Sequence, residues 1–159
     1  MKLFPLISTL FLSALFLGQA FAGQPVSTGL WSNTAIGGHD ATAYYETVNE
    51  GHSPITKGLS RYTVVWEGAE WHFASQSSAN KFADSPTSYI PKYNGYCANA
   101  LSLGEGLINT DGSVWEFFGD QLYLFYAEPG RQRWLRGDWK TFQSQANKAW
   151  AQEISSALN

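Results

Sequence analysis

Cys97 is the only cysteine in a chain of 159 residues, so no intrachain disulfide can brace the fold and packing alone must hold it. The constraint is severe because the chain begins like an exported protein, and small exported domains often lean on disulfides. Met1-Lys2 supplies a positive start, Leu3 to Leu17 a mostly apolar stretch, and Ala20-Phe21-Ala22 a cleavage site of A-x-A form. The stretch falls short of the ~20 apolar residues that span a bilayer. Residues 1–22 therefore read as a signal peptide, with no stable membrane anchor after cleavage. The expected location is the periplasm, or the medium after secretion. Removing 22 of 159 residues leaves 137, enough for one domain at roughly 150 residues each. In place of disulfides the chain carries aromatic bulk: seven Trp, eight Tyr and ten Phe.

Charge narrows the partners. Ten Lys and Arg stand against 13 Asp and Glu. Arg131, Arg133, Arg136 and Lys140 cluster, but Glu128 and Asp138 interrupt them, and the pattern reads as a solvated face. No basic stripe could neutralise a phosphate backbone, so no nucleic-acid partner is expected.

Residues 23–34 read as a flexible lead-in and residues 35–155 as the domain. Asp40 is placed to cap a short helix that includes Ala43-Tyr44-Tyr45, and Glu50 to Leu59 reads as loop. Arg61 to Trp66 and Glu70 to Ala74 read as a hairpin turning at Gly68-Ala69, which sets Trp66 across from Trp71 and Val64 across from Phe73. Val114 to Phe118 and Gln121 to Phe125 read as a second hairpin around Gly119-Asp120, with apolar side chains on both faces. Gly68-x-x-Trp71-x-Phe73 and Gly119-x-x-Leu122-x-Leu124 form a faint internal echo. Helices are expected from a Ser75 or Ser77 cap to before Pro86, over Tyr96 to Leu103, around Trp134 after a Pro129-Gly130 turn, and from an Asp138 cap to about Ser156. In the last, Trp139, Phe142, Ala146, Trp150 and Ile154 form an apolar stripe. The fold class is α+β, a small single domain with two antiparallel β-hairpins packed against helices.

Residues able to do chemistry are few. Cys97 lies near a helix start, where a thiol can become reactive or can be an inert buried group. His39 follows Gly37-Gly38, His72 sits mid-strand, and His52 stands in a polar loop. Cys97, His39 and His72 are the candidate ligands for a soft metal ion such as copper or zinc. Asp40 and Tyr96 are candidate walls of that site, and Tyr89, Tyr93 and Trp115 either line a cleft or pack in the core. No closely spaced ligand pair supports a metal. The only methionine, Met1, leaves with the leader, which excludes a Met-rich copper site. No haem-attachment, nucleotide-binding or hydrolase motif is present, so the chain reads as non-catalytic.

Several of these segments together resemble one family. Gly37-Gly38-His39-Asp40-Ala41-Thr42-Ala43-Tyr44-Tyr45 resembles the opening of exported bacterial YHS-domain proteins. Trp66-Glu67-Gly68-Ala69-Glu70-Trp71-His72-Phe73-Ala74-Ser75 looks like their central hairpin. Asn80-Lys81-Phe82, Pro86, Tyr89, Pro91 and Tyr93 continue the pattern. Asn94-Gly95-Tyr96-Cys97-Ala98 is similar to their G-G-Y-C-A signature, with Asn94 in place of the first glycine. The likeness runs from about Ala35 to Trp150. It implies binding of a small ligand or soft metal ion, with Cys97 as the retained cysteine. The metal-linked form has a further cysteine where this chain has Ala74, and paired cysteines near Ala41-Thr42. Two other readings stand beside it: a thiol-dependent redox or sensor protein acting through Cys97, and a structural protein that docks to a protein partner.

Overall fold

A computed structural model describes residues 23–47 and 55–157. The expected signal peptide, His52 and the first half of the Glu50 to Leu59 loop lie outside these residues. Among the described residues the elements are α1 (Ala43–Glu46), β1 (Leu59–Trp66), β2 (Ala69–Phe73), α2 (Gln76–Asp84), α3 (Ala98–Leu103), β3 (Val114–Phe118), β4 (Gln121–Phe125), α4 (Glu128–Arg136) and α5 (Trp139–Ala157). Short 3-10 turns cover Ile36–Gly38, Pro86–Ser88 and Lys92–Gly95. The fold is α+β, with two separate antiparallel hairpins, β1-β2 and β3-β4.

The second hairpin organises the core. Its register pairs Trp115 with Leu124 and Phe117 with Leu122, as the alternation predicts. Trp115, Leu122 and Leu124 face one apolar cluster, built with Trp71, Phe73 and Phe82 of the first hairpin and α2. Phe118, Tyr123 and Phe125 face another, built with Leu101, Trp134 and Ala146 of α3, α4 and α5. One hairpin with two apolar faces thus joins both clusters. In the first, Trp71 stacks on Phe82 at 5.2 Å between ring centroids; in the second, Trp134 lies 5.3 Å from Tyr123 and 5.4 Å from Phe118. Such contacts add to simple area burial and take the place of the missing disulfides.

The first hairpin corrects its expected register. The turn is Glu67-Gly68, with φ of 50° and 74°, and Trp66 pairs with Ala69 and Val64 with Trp71. Positive φ at both central residues makes a type I′ turn, whose twist suits a two-residue hairpin. The turn lies one residue earlier than expected, so pairing shifts by two. A two-residue shift preserves side-chain parity, and Val64, Trp66, Trp71 and Phe73 still share the inner face. The internal echo dissolves for the same reason: Gly68 is the second turn residue, whereas Gly119 is the first.

Several boundaries also change. The 23–34 lead-in is docked at both ends: Val26 and Ser27 are buried, and residues 33–35 run beside β2 through Glu70 N–H to Asn33 O and Ala35 N–H to Glu70 O, while Leu30 and Trp31 between them are exposed. Tyr96 precedes α3, whose N-cap is Cys97 and whose end is the left-handed Gly104. Pro129-Gly130 lies inside the first turn of α4, where a proline costs no hydrogen bond. Ser75 caps α2 and Asp138 accepts from Thr141 N–H at the start of α5, both as expected. Arg131 is not a solvated charge, because it pairs with Glu116 and Glu128 at 2.7 Å each.

Burial makes the tyrosines sensitive to alkali. Desolvation, helped by the charges of Asp120 and Tyr89, pushes the Tyr45 phenol from its ordinary 10.0 up to about 12. Burial raises Tyr44 and Tyr93 further still. The unfolded chain ionises these phenols near pH 10 while the folded chain keeps them neutral. Stability is therefore full below pH ~10 and falls as pH rises towards ~12. Melting curves over this range should drop steeply, with tyrosinate absorbance rising in step with unfolding. A smooth phenol titration near pH 10 with no loss of fold would refute this.

Candidate functional site

The turn before Cys97 fixes its position. Tyr93, Asn94 and Gly95 all take positive φ (59°, 50° and 85°), and a Cβ on Gly95 would come within 3.0 Å of the buried Ile36 side chain. Only glycine fits there. Cys97 then runs beside β4 as a single bridge to Leu124, with its N–H on Ile108 O at 2.9 Å. Its Sγ accepts from Ala100 N–H at 3.5 Å and from Tyr126 N–H at 3.3 Å. The sulfur thus caps a six-residue helix and ties it to the end of β4. It is 4% exposed.

The other candidates do not join it. His39 is buried, and its Nδ1 lies 2.8 Å from Asp111 O and 3.2 Å from Ile36 O. Two carbonyl neighbours require Nδ1 to carry the proton, and the ring staples the 36–39 turn to the 111–112 loop. His72 stands on the outer face of β2, 3.7 Å from Glu70 Oε2. Its Nε2 is buried without a hydrogen-bond partner among the described residues. Among those residues no group of three or more His, Cys, Asp or Glu is arranged to hold a metal ion. The expected Cys97, His39 and His72 centre is therefore not formed.

The expected walls are spent elsewhere. Asp40 does not cap α1; Thr42 takes that position without a side-chain bond. Asp40 is buried, and its Oδ1 accepts from Thr42 N–H (2.9 Å) and Thr42 Oγ1 (2.7 Å). Its Oδ2 accepts from Ala74 N–H at 2.9 Å, clamping the segment to the end of the first hairpin. Tyr96 donates to Val26 O at 3.2 Å, which anchors the N-terminal segment. Trp115 belongs to the core, and Tyr89 packs edge-on against Tyr45.

A cleft of about 650 Å³ opens where the N-terminal segment faces the loop before β3. Gly29 and Leu30 form one wall, Leu107 to Asp111 the other, and Tyr126 closes an end. The wall is held by Ser27 and Thr110, whose Oγ and N–H bond at 2.8 Å, and by Thr110 Oγ1 on Gly95 O at 2.7 Å. Leu30 and Tyr126 are 86% and 70% exposed, so the apolar lining meets solvent. Asp111 supplies the charge. Burial works to raise its pKa, but hydrogen bonds from Ser113 and the nearby His39 and Lys57 outweigh that and hold it below the usual value. The carboxylate stays ionised at neutral pH. A smaller cavity of about 140 Å³ shares Ile108 and Tyr126 with the cleft and reaches Cys97. The thiol thus lies behind the cleft, not in its lining.

The 107–111 wall lies outside the candidate residues of the sequence. Its signal is the spacing of Gly104, Gly106 and Gly112 around Leu107-Ile108: two apolar residues between glycines, too short a run for a helix, mark a loop that presents side chains. No protein-family model, no curated protein and no solved structure matches this chain.

Proposed function

We propose that the mature chain is an exported, non-catalytic binding protein of YHS-like type that holds a small, partly apolar ligand in this cleft. The cleft carries the reading: about 650 Å³ falls within the ~300–1,000 Å³ of typical ligand sites. Its lining also suits recognition, with Leu30, Leu107, Ile108 and Tyr126 giving an apolar surface beside one ionised carboxylate. A neutral or cationic amphiphile matches it better than an anion. The groups that would serve catalysis, Asp40, His39 and Tyr96, are already engaged in internal hydrogen bonds, which favours binding over turnover. Export rests on the leader. No described helix is long and apolar enough to cross a membrane.

Titration with the neutral dye Nile red tests the reading. It should bind saturably, one per chain. Ile108→Asp should weaken it at least ~10-fold, because a second carboxylate in the lining must desolvate or repel the apolar probe. Absence of saturable binding, or equal binding by the variant, would count against the cleft.

A further inference from the structure

A second cavity of about 250 Å³ lies between the Lys92–Gly95 turn, the start of β4 and α5. It shares no lining residue with the first cleft. Its walls combine the Trp150 ring with three side-chain amides, Asn94, Asn147 and Gln121, and with Lys92. The ring is held by Tyr93 and Tyr96, at centroid distances of 6.0 and 6.1 Å, and is half-buried.

Two of the amides are oriented by hydrogen bonds rather than merely near. Tyr93 Oη donates to Asn147 Oδ1 at 3.0 Å, which leaves the Asn147 Nδ2 hydrogens unspent among the described residues. Asn94 is 4% exposed and donates Nδ2 to Pro25 O at 3.1 Å. That leaves its Oδ1 without a partner among the described residues, although Asn94 lines the cavity. Gln121 is exposed at the cavity edge. Tyr93 and Asn94 both lie in the left-handed region, so the turn that brings Asn94 to the cavity wall is a tight one.

We infer that this cavity is a binding site for a neutral pyranose ring. An amide both gives and accepts hydrogen bonds, as does each sugar hydroxyl, whereas a phosphate or carboxylate can only accept from it. The half-exposed indole offers an apolar face to the C–H side of the ring. The volume lies below that of drug-sized sites, which suits a single ring.

The test is an NMR titration with methyl glucoside and with N-acetylglucosamine, following the Trp150 indole N–H and the Asn94, Asn147 and Gln121 amide signals. Glycerol serves as a polyol without a ring. At least one sugar should shift these signals saturably, with a Kd of ~1 mM. Gln121→Ala should weaken binding ~5-fold, the value of one hydrogen bond. This side chain lies outside both apolar clusters, so its loss leaves the fold intact. Trp150→Ala should abolish binding. The assignment is overturned if neither sugar saturates, if glycerol gives the same shifts, or if Gln121→Ala and Trp150→Ala bind as the parent does.

Discussion

Asp40→Ala should lower the melting temperature by ~10 °C. The carboxylate is buried and receives Thr42 N–H, Thr42 Oγ1 and Ala74 N–H. The hydroxyl can turn to another acceptor, but the two backbone donors cannot. Each buried donor left unmet costs ~1–3 kcal/mol, so about 3 kcal/mol is lost in all. At this chain length 1 kcal/mol corresponds to roughly 3 °C. Asp40→Asn keeps an oxygen for Thr42 but turns an N–H towards Ala74 N–H, and should fall between the two. Thermal unfolding followed by circular dichroism decides the matter, and a shift within ~3 °C for Asp40→Ala would show that the clamp carries little.

Gly37→Ala should be at least as damaging, and for a reason separable by comparison. Gly37 has φ of 63°, and a Cβ there would come closer than 3.0 Å to the backbone of Asp111. Gly68 also has positive φ, 74°, but a Cβ there meets nothing within 4 Å. Gly68→Ala therefore isolates the backbone cost, ~1–2 kcal/mol. Gly37→Ala adds an overlap between two backbones with no flexible side chain to yield, and should cost ~3 kcal/mol or more. It should also displace the 107–111 wall and weaken ligand in the cleft, an effect Gly68→Ala lacks. Equal losses in the two variants would mean that the close approach of these turns does not matter.

The second hairpin was legible because both faces alternate cleanly and Gly119-Asp120 is an unambiguous two-residue turn. α2 and α5 were legible from serine and aspartate caps and apolar spacing. The first hairpin was half legible. Its faces follow from parity, but Glu67 at positive φ is an unusual turn residue, and ordinary preference moves the turn to Gly68-Ala69. The docked N-terminal segment was hidden because its bonds are long-range, from Ser27 to Asn94 and from Asn33 to Glu70.

At the site, identity and role parted. Cys97, His39, Asp40 and Tyr96 were singled out as chemically able, and each holds the fold instead: a cap, a staple, a clamp and an anchor. Polar side chains in a core must find partners, so the residue types that could serve a site are also the ones a sequence uses for internal bonds. The cleft wall, Leu107 to Asp111, carries no motif and depends on loop geometry that no periodicity encodes.

The most direct measurement is a parallel titration of Nile red into Cys97→Ser and Ile108→Asp proteins. If the cleft is the ligand site and the thiol only a cap behind it, Cys97→Ser keeps the parental Kd within ~2-fold while Ile108→Asp loses at least ~10-fold. Loss of binding in Cys97→Ser with retention in Ile108→Asp would move the site to the thiol and contradict this account.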